Sequence, residues 1–177
     1  CIRDSNYAML LARMQRYADA ERELGPLIVA KRKANGPEHP SLLPTWTLHA
    51  AMLGELDRET EAAAEYAEAI AQFEGVLPPD HQELASARLD YGTLLYETGE
   101  LEKAKAMLEL AWASYGANEA MSRRTAEVIY AMTLVAADLR DETLPTWLER
   151  AKKAREVGML SEKRWERIEN TMANPAG

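Results

Sequence analysis

Apolar residues return every three or four positions along most of this chain, and short polar, glycine- or proline-bearing stretches cut the stripes at regular intervals. Tyr7, Leu10, Leu11 and Met14 form the first stripe; Ala18, Leu24, Leu27 and Ile28 form the second, with Gln15-Arg16-Tyr17 as the turn between them. Leu43, Trp46, Ala50 and Leu53 precede Ala62, Tyr66, Ala69, Ile70 and Phe73 in the same way. Leu84, Leu89, Tyr91, Gly92 and Leu95 lead to Gly99, and Leu101, Ala104, Leu108, Ala111 and Trp112 follow it. A fourth pair holds Ala126, Ile129, Tyr130, Leu134 and Val135, a turn at Asp141-Glu142, then Trp147, Leu148, Ala151 and Ala154. Each pair predicts two amphipathic helices joined as a hairpin.

The hairpins are copies. Steps of 42 residues carry Ala104 back to Ala62 and Ala20, Leu108 to Tyr66 and Leu24, and Ala111 to Ala69 and Leu27. The linkers recur with them: Pro79, Asp80 and His81 answer Pro37, Glu38 and His39. A fixed period of this size predicts stacked helical units. The third copy is the clearest, with Gly99 and Leu101 at the turn where the second has Asp57 and Glu59. In the fourth, pairing Leu148 with Leu108 and Ala151 with Ala111 gives a step of 40, read as a two-residue deletion in a turn or linker. Gly158 closes that unit, and Ser161 opens a mostly charged helix whose Trp165 and Ile168 suit a cap. Asn174-Pro175-Ala176-Gly177 reads as a frayed tail.

The expected architecture is therefore all-α: one domain over 1–177, a solenoid of about four hairpins near 1–38, 39–80, 81–118 and 119–158, and a capping helix at 161–173. Pro26 is expected to remove one backbone bond and bend its helix, unless that helix starts later than the repeat predicts. Gly92 and Ala104 are expected where two helices cross closely, since Gly inside a helix costs roughly 1 kcal/mol relative to Ala and needs a packing reason.

Composition supports this and narrows function. Ala, Leu, Glu, Arg, Lys and Met dominate while Phe occurs once, which is helix-former usage. The formal charge of −8 disfavours nucleic acid and anionic membranes, which require clustered Lys and Arg. Lys31-Arg32-Lys33 is read as a solvated helix end facing the negative end of its dipole. No apolar run reaches the roughly 18 residues of a membrane span. Cys1 is the single cysteine, so an internal disulfide framework is excluded and a reducing, cytoplasmic compartment is the simpler expectation. The chain starts at Cys1 inside a helical pattern, which is read as a piece of a longer polypeptide.

The pattern Gly99-x-Leu101-x-x-Ala104-x-x-x-Leu108-x-x-Ala111, Gly92 seven residues before Gly99, and Arg16-Tyr17-Ala18-Asp19-Ala20-Glu21 resemble tetratricopeptide (TPR) repeats. The 42-residue step is similar to the long variety found in kinesin light chains; the eight residues beyond the usual ~34 add about one turn to each helix. A few irregular repeats followed by a charged helix also resemble the C-terminal arrays of bacterial serine/threonine kinases and related signalling proteins. The resemblance implies a protein-interaction scaffold, with a structural or self-association segment of a larger signalling enzyme as the alternative.

In TPR arrays the first helix of each hairpin lines a concave groove, which here implies Ser5, Asn6, Met9, Ala12 and Arg13, then Thr47, Leu48, Ala51, Gly54 and Glu55. The third and fourth units add Leu89, Asp90, Thr93, Tyr96 and Glu97, then Ile129, Tyr130, Thr133, Ala136 and Ala137. These positions lack the Lys and Asn set of the TPR carboxylate clamp and break the asparagine ladder of peptide-gripping arrays. What remains is an extended or helical peptide, or a partner protein, with apolar side chains, contacting Met9, Thr47, Leu89, Thr93, Tyr96 and Ile129. Exposed terminal repeats leave room for a homo-oligomer.

No catalytic residue, metal site or cofactor is expected. His39 and His81 are equivalent linker positions one repeat apart, too far to share an ion, and His49 beside Trp46 and Met52 reads as a satisfied, partly buried side chain. Glu59/Glu61 and Glu100/Glu102 read as solvated faces rather than acid–base pairs. Trp46, Trp112, Trp147 and Trp165 sit at core-facing spacing. Nothing matches a phosphate-cradling loop or a nucleophile elbow.

Overall fold

The computed structural model describes residues 2–116 and 121–175. Among them are nine α-helices, one 3₁₀ turn at Pro40–Leu42 and no strand. The first hairpin is α1 (Ile2–Arg13) with α2 (Tyr17–Asn35); the second is α3 (Leu43–Gly54) with α4 (Glu59–Glu74). The third is α5 (Gln82–Glu97) with α6 (Leu101–Tyr115), the fourth α7 (Arg123–Asp138) with α8 (Leu144–Glu156), and α9 spans Glu162–Ala173. Partner helices pack within each hairpin, the second helix packs on the first helix of the next, and α3, α5, α7 and α9 touch in succession. This is an α-solenoid. Cys1, the expected boundary near 118/119 and the last two tail residues lie outside the described residues.

The hairpin turns explain why the repeat survives loss of its glycine. Gln15, Asp57, Gly99 and Arg140 all have positive φ, at 58°, 57°, 82° and 52°, and follow one another at steps of 42, 42 and 41. Each lies between the same two bonds: in the third hairpin Gly99 N–H donates to Tyr96 O and Glu100 N–H to Leu95 O, and Arg58 N–H to Leu53 O and Asp141 N–H to Ala136 O repeat the second. This Schellman closure satisfies carbonyls that a helix end leaves open. The degenerate turn at Asp57 therefore has the geometry of the turn at Gly99.

The entries to the first helices are equally periodic. His39 Nδ1 accepts from Ser41 N–H and His81 Nδ1 from Glu83 N–H, each at 3.2 Å, and Ser122 Oγ accepts from Thr125 N–H at 3.1 Å. The equivalent histidines are helix caps, replacing the usual Ser or Asp acceptor. Sequence reading finds their equivalence but not this role.

One alternative falls away and one expectation changes. Helix α2 runs unbroken through Pro26 from Tyr17 to Asn35, so the proline does not delay its start. In α8 the buried residues are Trp147, Ala151 and Ala154, which match Ala104, Leu108 and Ala111 of α6 at a step of 43, while Leu148 is only half-buried. The fourth turn is thus two residues longer than the third, from Arg140 to Leu144 against Gly99 to Leu101, rather than shorter. The 4-then-3 spacing of a helix stripe fits two registers, and packing selects the one that buries the Trp147 indole. At the third hairpin the crossing is as close as expected: a Cβ on Gly92 would lie 2.8 Å from Leu108 Cγ and 3.3 Å from Ala104 O.

The basic run Lys31-Arg32-Lys33 is not merely solvated. Lys31 Nζ donates to Ser41 O at 3.0 Å and to Thr45 Oγ1 at 2.5 Å, and the Arg32 guanidinium lies 4.2 Å from the centre of the Trp46 ring. These contacts tie the end of α2 to the next hairpin.

Candidate functional site

Because each first helix leans on its predecessor, α3, α5 and α7 expose one continuous inner face. Together with α9 they enclose a groove of about 710 Å³. Leu89, Thr93 and Tyr96 of α5 line it with Ala51 and Gly54 of α3, Tyr130 of α7, and Arg164 and Arg167 of α9. Leu89 is 2% exposed and forms the floor. Thr93 Oγ1 donates to Leu89 O at 2.9 Å. Tyr96 donates to Asp138 Oδ2 at 2.8 Å; burial and that bond push its phenol up to about 12.

Helix α9 does more than cap. Its Trp165 and Ile168 are buried, Trp165 Nε1–H donates to Glu169 Oε1 at 2.7 Å, and Ser161 Oγ accepts from Arg164 N–H. The adjoining face aims Arg164 at the face of Tyr130 (5.0 Å) and Arg167 at the face of Tyr96 (5.7 Å), so this end wall of the groove is cationic and aromatic. Farther along, Arg124 lies 3.3 Å from Asp90 and 3.0 Å from Glu127. Burial in the groove pushes the Asp90 carboxyl up to about 6 against the opposing pull of Arg124.

The six residues expected at the site divide. Leu89, Thr93 and Tyr96 share the groove. Met9, 44% exposed, lies instead on a separate hollow of about 270 Å³ with Ser5, Asn6, Lys31 and Leu48. Thr47 is buried, and its hydroxyl donates to Leu43 O at 3.1 Å. Ile129 is 1% exposed and packs in the core; its neighbour Tyr130 faces the groove. The charged border includes the expected Glu55 and Glu97 and adds Glu59, Arg124, Arg164 and Arg167. Sequence reading places α9 as a cap but not as a wall of the groove, because it has no counterpart in the repeat; the signal is Arg164 and Arg167 at helical spacing on the face beside Trp165 and Ile168.

His49 bridges hairpins: Nδ1 lies 2.7 Å from Glu65 Oε2 and Nε2 3.7 Å from Glu21 Oε1. Trp112 and Trp147 meet edge to face at 5.1 Å, with Arg150 over both rings. Among the described residues no group of three His, Cys, Asp or Glu is placed to hold a metal ion, and no helix is long and apolar enough to cross a membrane.

Fold and groove define a helical-repeat solenoid. Residues 41–115 match the family model for the tetratricopeptide repeat, and the solved structures similar to the chain are kinesin-light-chain-like TPR-repeat proteins. A Podosopora anserina putative kinesin light chain with nearly identical TPR-like repeats superposes with a TM-score of 0.75 at 15% identity, covering 90% of this chain and 76% of that one. A single-substitution variant of that protein gives 0.74 at 14% identity, covering 84% and 71%. BtubC (BKLC) from P. vanneervenii gives 0.75 at 19% identity; 87% of this chain is covered, and it spans 62% of BtubC. No curated protein matches the chain.

Proposed function

We propose that this chain binds a protein or peptide segment in the groove of α3, α5, α7 and α9, and that it acts as an interaction scaffold rather than a catalyst. The observation that carries this reading is the juxtaposition of Leu89, Thr93, Tyr96 and Tyr130 in one open groove of about 710 Å³. An apolar floor with aromatic walls suits side chains projecting from an extended or helical segment. Concave surfaces of stacked repeats are the usual binding faces of solenoids. Glu55, Glu59 and Glu97 come from the hairpin turns and Arg164 and Arg167 from α9, so the charges of the bound segment set its direction.

The test is selection of binders from a random peptide display library, followed by titration of the best one. Thr93→Arg, at a half-buried position on the groove wall, is expected to weaken binding at least roughly tenfold with an unchanged melting temperature. Equal affinity for the variant overturns the assignment. Leu89→Glu is unsuitable despite its place in the groove, because it buries a carboxylate without a partner.

A further inference from the structure

The charges that border the groove are sorted by position. Glu55 just after α3, Asp57 in the turn that follows, Glu59 at the start of α4 and Glu97 at the end of α5 gather where the two first helices end. Glu55 and Glu97 hold the same repeat position, one step of 42 apart, on neighbouring helices about 10 Å from axis to axis. All four are exposed, and among the described residues none of them forms an ion pair; the uncharged Tyr17 hydroxyl donates to Glu55. Arg58 stands between Asp57 and Glu59 in sequence, yet it turns to Glu61 at 2.7 Å and Glu21 at 3.4 Å. The groove's own cations come from α7 and α9: Arg124 is held by Asp90 and Glu127, and Arg164 and Arg167 lie over Tyr130 and Tyr96.

Like charges gathered at one edge repel one another, and a cation supplied from outside relieves that repulsion. We infer that the segment bound in the groove carries a lysine or arginine that seats between Glu55 and Glu97, beside apolar side chains over Leu89 and Thr93; this rests on the groove reading above. The stem of such a side chain covers apolar surface while its head stays among the carboxylates. The arginines of α9 repel a basic group at their end, so the base belongs to the α3–α5 end of the segment. Exposed ion pairs are individually weak, so the selectivity comes from several carboxylates acting on one cation and is sensitive to salt.

The test uses the full chain and the best peptide selected from the random display library, labelled with fluorescein. Sequencing of the selected pool is expected to show Lys or Arg enriched at one position beside apolar residues. The quadruple variant Glu55→Gln, Asp57→Asn, Glu59→Gln, Glu97→Gln changes exposed positions only and is expected to keep its melting temperature. Fluorescence anisotropy should show the peptide bound at least roughly tenfold more weakly by this variant. Replacing the enriched Lys or Arg of the peptide by Ala should weaken binding to the wild type by a similar factor and change little in the variant. Raising NaCl from about 50 to about 500 mM should weaken the wild-type complex more than that of the variant. A pool enriched in acidic residues or lacking basic ones overturns the inference. So does equal affinity for the quadruple variant when Thr93→Arg still weakens binding, a result that leaves the groove reading standing. Equal affinity for Thr93→Arg, or a library that yields no binder, overturns both.

Discussion

The two ends of the stack carry the same apolar periodicity and finish differently. At the C-terminal end α7 is held from both sides: α6 covers Met132 and Val135, and α9 covers the inner face with Trp165 and Ile168, 8% and 0% exposed. At the N-terminal end Ala8, Leu11 and Ala12 of α1 pack with α2 and α3, while Tyr7, Leu10 and Met14 stand about half exposed. Amphipathic pattern alone does not bury a residue; burial follows from having a neighbour on that side. Removing apolar atoms should therefore cost far more at one end than at the other.

The largest effect is expected for Ile168→Ala, which removes a fully buried side chain from the α7–α9 contact and should destabilise by about 2–5 kcal/mol in urea unfolding. A loss below about 0.5 kcal/mol would mean that α9 is not docked as described, and the contrast between the ends would fail.

An intermediate effect is expected at Asp141, in the turn between α7 and α8. Its carboxylate accepts from Lys105 Nζ at 2.5 Å and from Thr143 N–H at 2.8 Å, and the lysine bond first, then Thr143, holds its pKa near 2. A depressed folded pKa gives stability that is complete above the ordinary carboxylate value and is lost as pH falls toward about 2. Asp141→Asn should lower stability by about 1 kcal/mol at pH 7 and should lose less than the wild type between about pH 4 and 2. Parallel pH profiles for the two proteins would remove the Lys105 contact from the account.

The smallest effect is expected for Leu10→Ala, below about 0.5 kcal/mol, because that side chain is mostly in water. A cost matching that of Ile168→Ala would show that α1 is covered in solution, and light scattering would then identify self-association directly.

Much of this fold is legible in the sequence. The Ala-x-x-x-Leu-x-x-Ala stripes set the second helices, and Gly92 announces the close crossing because a helix interior tolerates glycine poorly without a packing reason. The turn at Asp57 is obscure because an aspartate can occupy the left-handed region that Gly99 takes freely. The fourth register is misread from sequence because Leu148 and Trp147 are adjacent and both apolar, so only packing distinguishes them. The groove is half legible: the repeat places Leu89, Thr93 and Tyr96, but it does not show that Ile129 turns inward while Tyr130 turns outward. Nor does it supply Arg164 and Arg167, which lie on a helix outside the repeat.

The most direct test of groove binding is backbone amide NMR of the chain titrated with a display-selected peptide. The account predicts shift changes concentrated on α3, α5, α7 and the Arg164–Arg167 turn of α9. Changes concentrated on α4, α6 and α8, or confined to α1, would contradict it.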